Sequence, residues 1–290
     1  MKLGLQVPNF TWPGGPATLG ADLATIARAA DDAGFEYLAL PDHLFQMAEV
    51  QPVESEMLEA YTTLGFLAAH TDRIKLLTIV TAAHHRQPGV LAKTITTLDV
   101  LSGGRAVFGI GAGWNEDESR GLGLPFPPTA ERFELLEETV QFMLKMWSRD
   151  ESGFESTHIH AERLLNSPQA LTKPHPPILI GGGGEKKTLR LVAKYADMCN
   201  LLAGPELERK LNVLRKHCET VGRNFSDIAI TTMGPLSVGK HGEGLDDFNA
   251  GLREQARLGV DVAVVGSLDG PDLDVIDLLG KEVIPDAADY

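Results

Sequence analysis

Pro177-Ile178-Leu179-Ile180-Gly181-Gly182-Gly183-Gly184 is a short apolar run that ends in four glycines and leads directly into a helical stretch, Glu185 to Tyr195. A run without polar alternation suits a strand of a parallel sheet, buried on both faces. The glycines then mark the joint between strand and helix. Comparable runs stand at Lys2–Val7, Tyr37–Leu40, Lys75–Thr81, Ala106–Ile110, Met198–Leu202, Ile228–Met233 and Val262–Val265, each followed by a stretch long enough to return as a helix. Eight such units predict an α/β fold, a (β/α)8 TIM barrel, with its chemistry just beyond the C-terminal ends of the strands.

Helical periodicity supports this independently. Leu23, Ile26, Ala27 and Ala30 share one face, and Gly34 follows where a left-handed cap residue is expected. Phe133, Leu136, Val140, Met143, Leu144 and Trp147 form another face. Ala33-Gly34-Phe35-Glu36-Tyr37-Leu38 and Leu258-Gly259-Val260-Asp261-Val262-Ala263 repeat one helix-to-strand joint. At 290 residues the chain exceeds the roughly 250 of one barrel, so a single domain over 1–290 is expected, with an insertion after strand 4 at about 148–177. Pro174, Pro176, Pro177 and three histidines lie there without a clear period.

A formal charge of −14 argues against nucleic acid or an anionic membrane as partner, since no net positive field neutralises phosphates. It leaves an anionic small ligand open, because backbone N–H groups at a helix start suffice for one. Cys199 and Cys218 make no disulfide framework, no signal peptide is visible, and no run is long enough to span a membrane. A cytoplasmic protein is expected.

Four segments could carry chemistry. Gly181 to Gly184 leave amides unshielded at the start of a helix, with Lys186 and Lys187 nearby; a phosphate seat and a plain tight turn are the alternatives. Gly109-Ile110-Gly111-Ala112-Gly113, followed by Trp114, misses the dinucleotide fingerprint, since Trp114 or Glu116 stands where its last glycine belongs. It reads as a backbone kept thin for a flat ligand with Trp114 as a wall, or as small residues filling the barrel taper. Pro41-Asp42-His43 follows the second strand, and Asp42 could fix the tautomer of His43. His84 and His85 point to opposite sides on an extended segment, and His158-x-His160 lacks a third ligand, so no metal is expected.

Together with Leu77-Thr78-Ile79-Val80-Thr81, His85-Arg86-Gln87-Pro88, Thr97-Leu98-Asp99-Val100-Leu101-Ser102-Gly103-Gly104-Arg105 and Gly113-Trp114-Asn115-Glu116, these segments resemble the luciferase-like monooxygenase superfamily over nearly the whole chain. Within it the chain resembles the bacterial oxidoreductases that use the deazaflavin F420. The resemblance implies a homodimer with a cofactor ring seated over the strand ends. It implies a non-prolyl cis peptide at Ile79-Val80 behind the ring, and it places His43, Thr78, Ile79, Val80, Ala112, Trp114 and Gly181, Gly182, Gly183 and Gly184 at the cofactor. His43, then Asp42, are the expected catalytic residues. Relatives that oxidise a sugar phosphate carry a glutamate acid where this chain has Trp114, so that reaction is not carried over. The expected function is hydride transfer between F420 and a small organic substrate. An FMN-dependent monooxygenase and a non-catalytic F420-binding protein are the alternatives. A metal-dependent barrel hydrolase would need His-x-His at the end of the first strand, where Pro8-Asn9-Phe10 stands.

Overall fold

A computed structural model describes residues 1–290. The barrel strands are β1 (Lys2–Gln6), β2 (Tyr37–Leu40), β3 (Lys75–Thr78) with its continuation β4 (Thr81–Ala82), and β5 (Ala106–Gly111). After the insertion hairpin β6 (Phe154–Glu155) and β7 (His160–Ala161) come β8 (Ile178–Gly181), β9 (Met198–Leu202), β10 (Ala229–Pro235) and β11 (Val262–Gly266). All barrel pairings are parallel, and β3 meets β5 through Leu76↔Ala106 and Leu77↔Val107, which closes the ring. The fold is therefore an eight-stranded TIM barrel, with the third strand broken in two.

Alternation along the strands sorts side chains into two layers. Tyr37, Ala39, Leu77, Val107, Leu179, Val262 and Val264 fill the barrel interior, while Leu3, Leu5, Leu38, Leu40, Leu76 and Phe108 join the larger core beneath the helices. α4 (Glu116–Gly121) lies beside the His43 loop at the C-terminal mouth, and the outer layer is covered by α1 (Leu19–Ala33), α2 (Ala60–Ala68), α3 (Pro88–Leu101), α5 (Thr129–Trp147), α6 (Thr188–Tyr195), α7 (Leu207–Val221) and α8 (Leu245–Arg257). The C-terminal helices α9 (Leu273–Leu278) and α10 (Ile284–Ala287) complete it. The repeated joint is real in backbone terms: Gly34 has φ 90° and Gly259 has φ 92°, both left-handed.

Gly109 explains the break in the third strand. A Cβ on it would lie 1.8 Å from the Thr78 carbonyl oxygen, so only glycine lets β5 approach that turn. Val80, beyond the Ile79-Val80 peptide, which is cis, packs where side chains on Gly111 and Gly181 would otherwise sit. The thin backbone of the Gly109–Gly113 segment is thus filled by protein at Gly109 and Gly111. Gly113 (φ 75°) faces the His84 ring.

The Thr97–Arg105 motif lies at the opposite, N-terminal end of the strands. Asp99 accepts hydrogen bonds from the Leu171 and Thr172 N–H groups, at 2.7 and 2.9 Å, and so anchors the insertion. The Arg105 guanidinium donates to the carbonyls of Ala68, Thr71 and Ile74 just past the end of α2. No helix is long and apolar enough to cross a membrane.

Candidate active site

At the C-terminal mouth a cavity of about 790 Å³ runs from the β2 loop to the tetraglycine loop. Its size falls in the range of small-molecule and cofactor pockets. His43 stands at one end. Its Nδ1 lies 2.8 Å from Glu118 Oε1, and Glu118 Oε2 accepts from the N–H groups of Leu44 at 2.8 Å and Phe45 at 3.3 Å. Glu118 is only 1% exposed. Burial opposes its charge, yet the bonds from His43, Leu44 and Phe45 outweigh that and hold the carboxyl below its usual range. An ionised carboxylate only accepts, so Nδ1 is the donor and Nε2 of a neutral His43 keeps its lone pair. The Trp114 ring meets the His43 ring edge-on, with centroids 5.3 Å apart.

Asp42 does not orient His43; Glu118 takes that place. The Asp42 carboxylate is gripped by Arg86 through bonds of 2.5 and 2.9 Å, and Arg86 also donates to Glu59 at 2.5 Å. The guanidinium lies 4.8 Å over the Tyr61 ring, so the network clamps the β2 loop to the loop after β4. Thr78 likewise lies outside the cavity. It is fully buried, and its hydroxyl donates to the Gly109 carbonyl at 3.1 Å, knitting β3 to β5. The geometry brings together His43, Ile79, Val80, Ala112, Trp114 and Gly181 to Gly184 around one cavity, with Asp42 at its edge.

Several lining residues escape a reading of the sequence: Gln6, Met47, Glu118, Asn200 and Lys210; His85, weighed there only as a metal ligand, lines the cavity too. His85 Nε2 is 3.9 Å from Glu118 Oε1, and burial pushes His85 below the usual histidine range. His84, on the other side of the segment, contacts Ser119 Oγ at 3.2 Å; burial, reinforced by His85 and Arg132, pushes it down to about 4. His158 and His160 sit on the insertion hairpin beside Glu134 and Glu155.

The other end of the cavity suits an anion. Gly182 donates to the Asn200 carbonyl at 3.1 Å, but the N–H groups of Gly183, Gly184 and Glu185 have no backbone acceptor. Lys210 reaches over the loop and donates to the Gly183 carbonyl at 2.7 Å. Exposed amides beside an ammonium are the donor set that a phosphate takes. Val80 and His43 line the same cavity, so these residues fit a phosphate-bearing cofactor of the flavin type.

Residues 1–256 match the family model described as luciferase-like monooxygenase. An uncharacterized protein of Mycobacterium tuberculosis is 31% identical over 191 residues, 61% of this chain and 66% of that protein. An F420-dependent glucose-6-phosphate dehydrogenase of Kineococcus radiotolerans is 31% identical over 229 residues, covering 74% of this chain and 63% of that enzyme. These alignments span slightly less than two thirds of the relatives' own length. Among solved structures, an F420-dependent secondary alcohol dehydrogenase in complex with an F420-acetone adduct superposes over 99% of both chains with a TM-score of 0.83 and 17% identity. The monooxygenase RslO1 from Streptomyces bottropensis gives 0.82 at 17% identity over the same share. At that identity the likeness is one of fold.

Proposed function

This chain belongs to the luciferase-like monooxygenase family, and on that premise we propose that it is an F420-dependent oxidoreductase acting on a small organic substrate. The observation that carries the proposal is one cavity with His43, oriented by a buried carboxylate, at one end and unbonded amides beside Lys210 at the other. The bound deazaflavin would supply a ring carbon able to take or give a hydride. The protein supplies the rest. Gly183, Gly184 and Glu185 would hold the cofactor phosphate through their N–H groups, with Lys210 adding charge. Ile79 and Val80 would support the ring. His43 Nε2 would accept the proton that leaves a substrate oxygen, or return it in the reverse direction, while Glu118 keeps Nδ1 protonated. Trp114 and Met47 would restrict water at the reacting end.

Asp42 serves here as an anchor for Arg86 rather than as a proton carrier. Fluorescence titration with F420 and with FMN tests the assignment: F420 should bind more tightly, and FMN binding tenfold tighter would overturn it. A homodimer belongs to the same reading and is measured by light scattering.

A further inference from the structure

With their carboxylates ionised, the groups around the His43 end of the cavity do not sum to a cation. Arg86, which holds Asp42 of the cavity lining, is shared between Asp42 and Glu59. The His43–Glu118 pair carries one negative charge when the imidazole is neutral and none when it is protonated. His85 is kept neutral by burial, and it faces Asp42, Glu118, Arg86 and His43. Lys210 lies at the tetraglycine end, held by the Gly183 carbonyl and by Glu185 Oε1 at 3.2 Å. Lys187 rests 5.2 Å over the Phe133 ring. Glu206, on the cavity wall at the tetraglycine end, is paired with Arg209, which also meets Glu185.

We propose that the substrate site beside His43 takes an uncharged organic molecule, one without phosphate or carboxylate, recognised by hydrogen bonds and apolar contact. The proposal rests on the F420 reading for which end of the cavity is left to the substrate. An anionic group there would be desolvated beside Glu118, while Arg86 is already shared between two carboxylates. Neutral partners are at hand instead: Gln6 and Asn200 offer amides, and Met47, Trp114 and Met233 offer apolar wall. Selection against anions would follow from the carboxylate that orients His43, so one group would serve both the proton and the specificity.

Trp114 lets the local field be measured without substrate or cofactor. Its residue is 57% exposed and its ring stands beside His43. Quenching by caesium, iodide and neutral acrylamide is recorded for the full chain and for Trp114→Phe, and the difference isolates Trp114 from Trp12 and Trp147. Normalised to free tryptophan amide, caesium should quench at least about threefold more effectively than iodide. Glucose 6-phosphate and inorganic phosphate, added to F420-saturated protein, should leave Trp114 emission unchanged up to about 10 mM. A smaller quenching ratio, or a saturable response to the sugar phosphate, overturns the proposal. Failure to bind F420 in the titration above would instead remove the cofactor reading and leave the quenching result standing.

Discussion

Replacing Glu118 by glutamine changes one oxygen to an NH2 group at nearly constant shape, and the structure says where the mismatch falls. The carboxylate accepts three hydrogen bonds, from His43 Nδ1, Leu44 N and Phe45 N. An amide oxygen can keep the two backbone donors, which turns the NH2 group toward His43. Two donors cannot face each other, so the His43 proton moves from Nδ1 to Nε2 and the lone pair that faced the cavity is lost. A bond to a charged group, worth about 1.5–3 kcal/mol, is exchanged for a neutral one of about 0.5–1.5 kcal/mol. Glu118→Gln should therefore cost about 1–2 kcal/mol and lower Tm by a few degrees. Loss of the proton acceptor should slow turnover by roughly 10² to 10⁴ once a substrate is in hand. The tautomer can be read now, by long-range proton–nitrogen correlation on protein labelled with 15N-histidine. A His43 that keeps its proton on Nδ1 in the variant would refute the reasoning. The pH dependence has a defined sign: the Glu118 carboxyl is held below 4.5, so its contribution is complete above that pH and is lost as pH falls below it. The stability gap between wild type and Glu118→Gln should close in that acid range.

Other outcomes follow from the surrounding residues. Arg86→Ala strands the Asp42 carboxylate, whose side chain is 0% exposed, and should cost about 3–5 kcal/mol by calorimetry; a loss under about 1 kcal/mol would show that the clamp is unimportant. His84 is held near 4 when folded, so stability should be complete above its unfolded value near 6.5 and fall by about 3 kcal/mol as pH drops toward 4. His84→Phe should flatten that slope in denaturation curves taken across the range. Gly183 is the better probe of the phosphate seat than Gly182, whose φ of 118° would strain any side chain. At Gly183 a Cβ meets only the end of Lys210 at 3.6 Å, so Gly183→Val should keep Tm within about 2 °C while weakening F420 binding tenfold or more. Unchanged affinity would return the tetraglycine to a plain turn.

The barrel was legible because its signal is long-range and redundant: eight buried apolar runs, each followed by a helix, admit few other architectures. The site was legible only where the signal lies in the backbone or at a strand end. Gly181 to Gly184 and His43 are of that kind, since a glycine run and a residue just past a strand carry their position with them. Thr78 illustrates the limit. Sitting one residue before Ile79, it reads as part of the same wall, but strand alternation turns it away from the cavity toward Gly109. Asp42 reads as the acid that orients its neighbour until Arg86, over forty residues away in sequence, is seen to hold it.

Glu118 shows why a decisive residue can be invisible. Asn115 and Glu118 stand three apart at the start of α4, the spacing of a capping box, in which the glutamate would turn back to the helix's first N–H group. Asn115 does cap, accepting from the Glu118 N–H at 3.4 Å. The Glu118 side chain instead leaves the helix for the His43 loop, where two backbone donors and an imidazole converge on it. Those donors come from residues more than seventy positions earlier, brought within reach only by the closure of the barrel. A local motif thus satisfied half its own pattern and lent the other half to the site, which no reading of neighbouring residues could separate from ordinary capping.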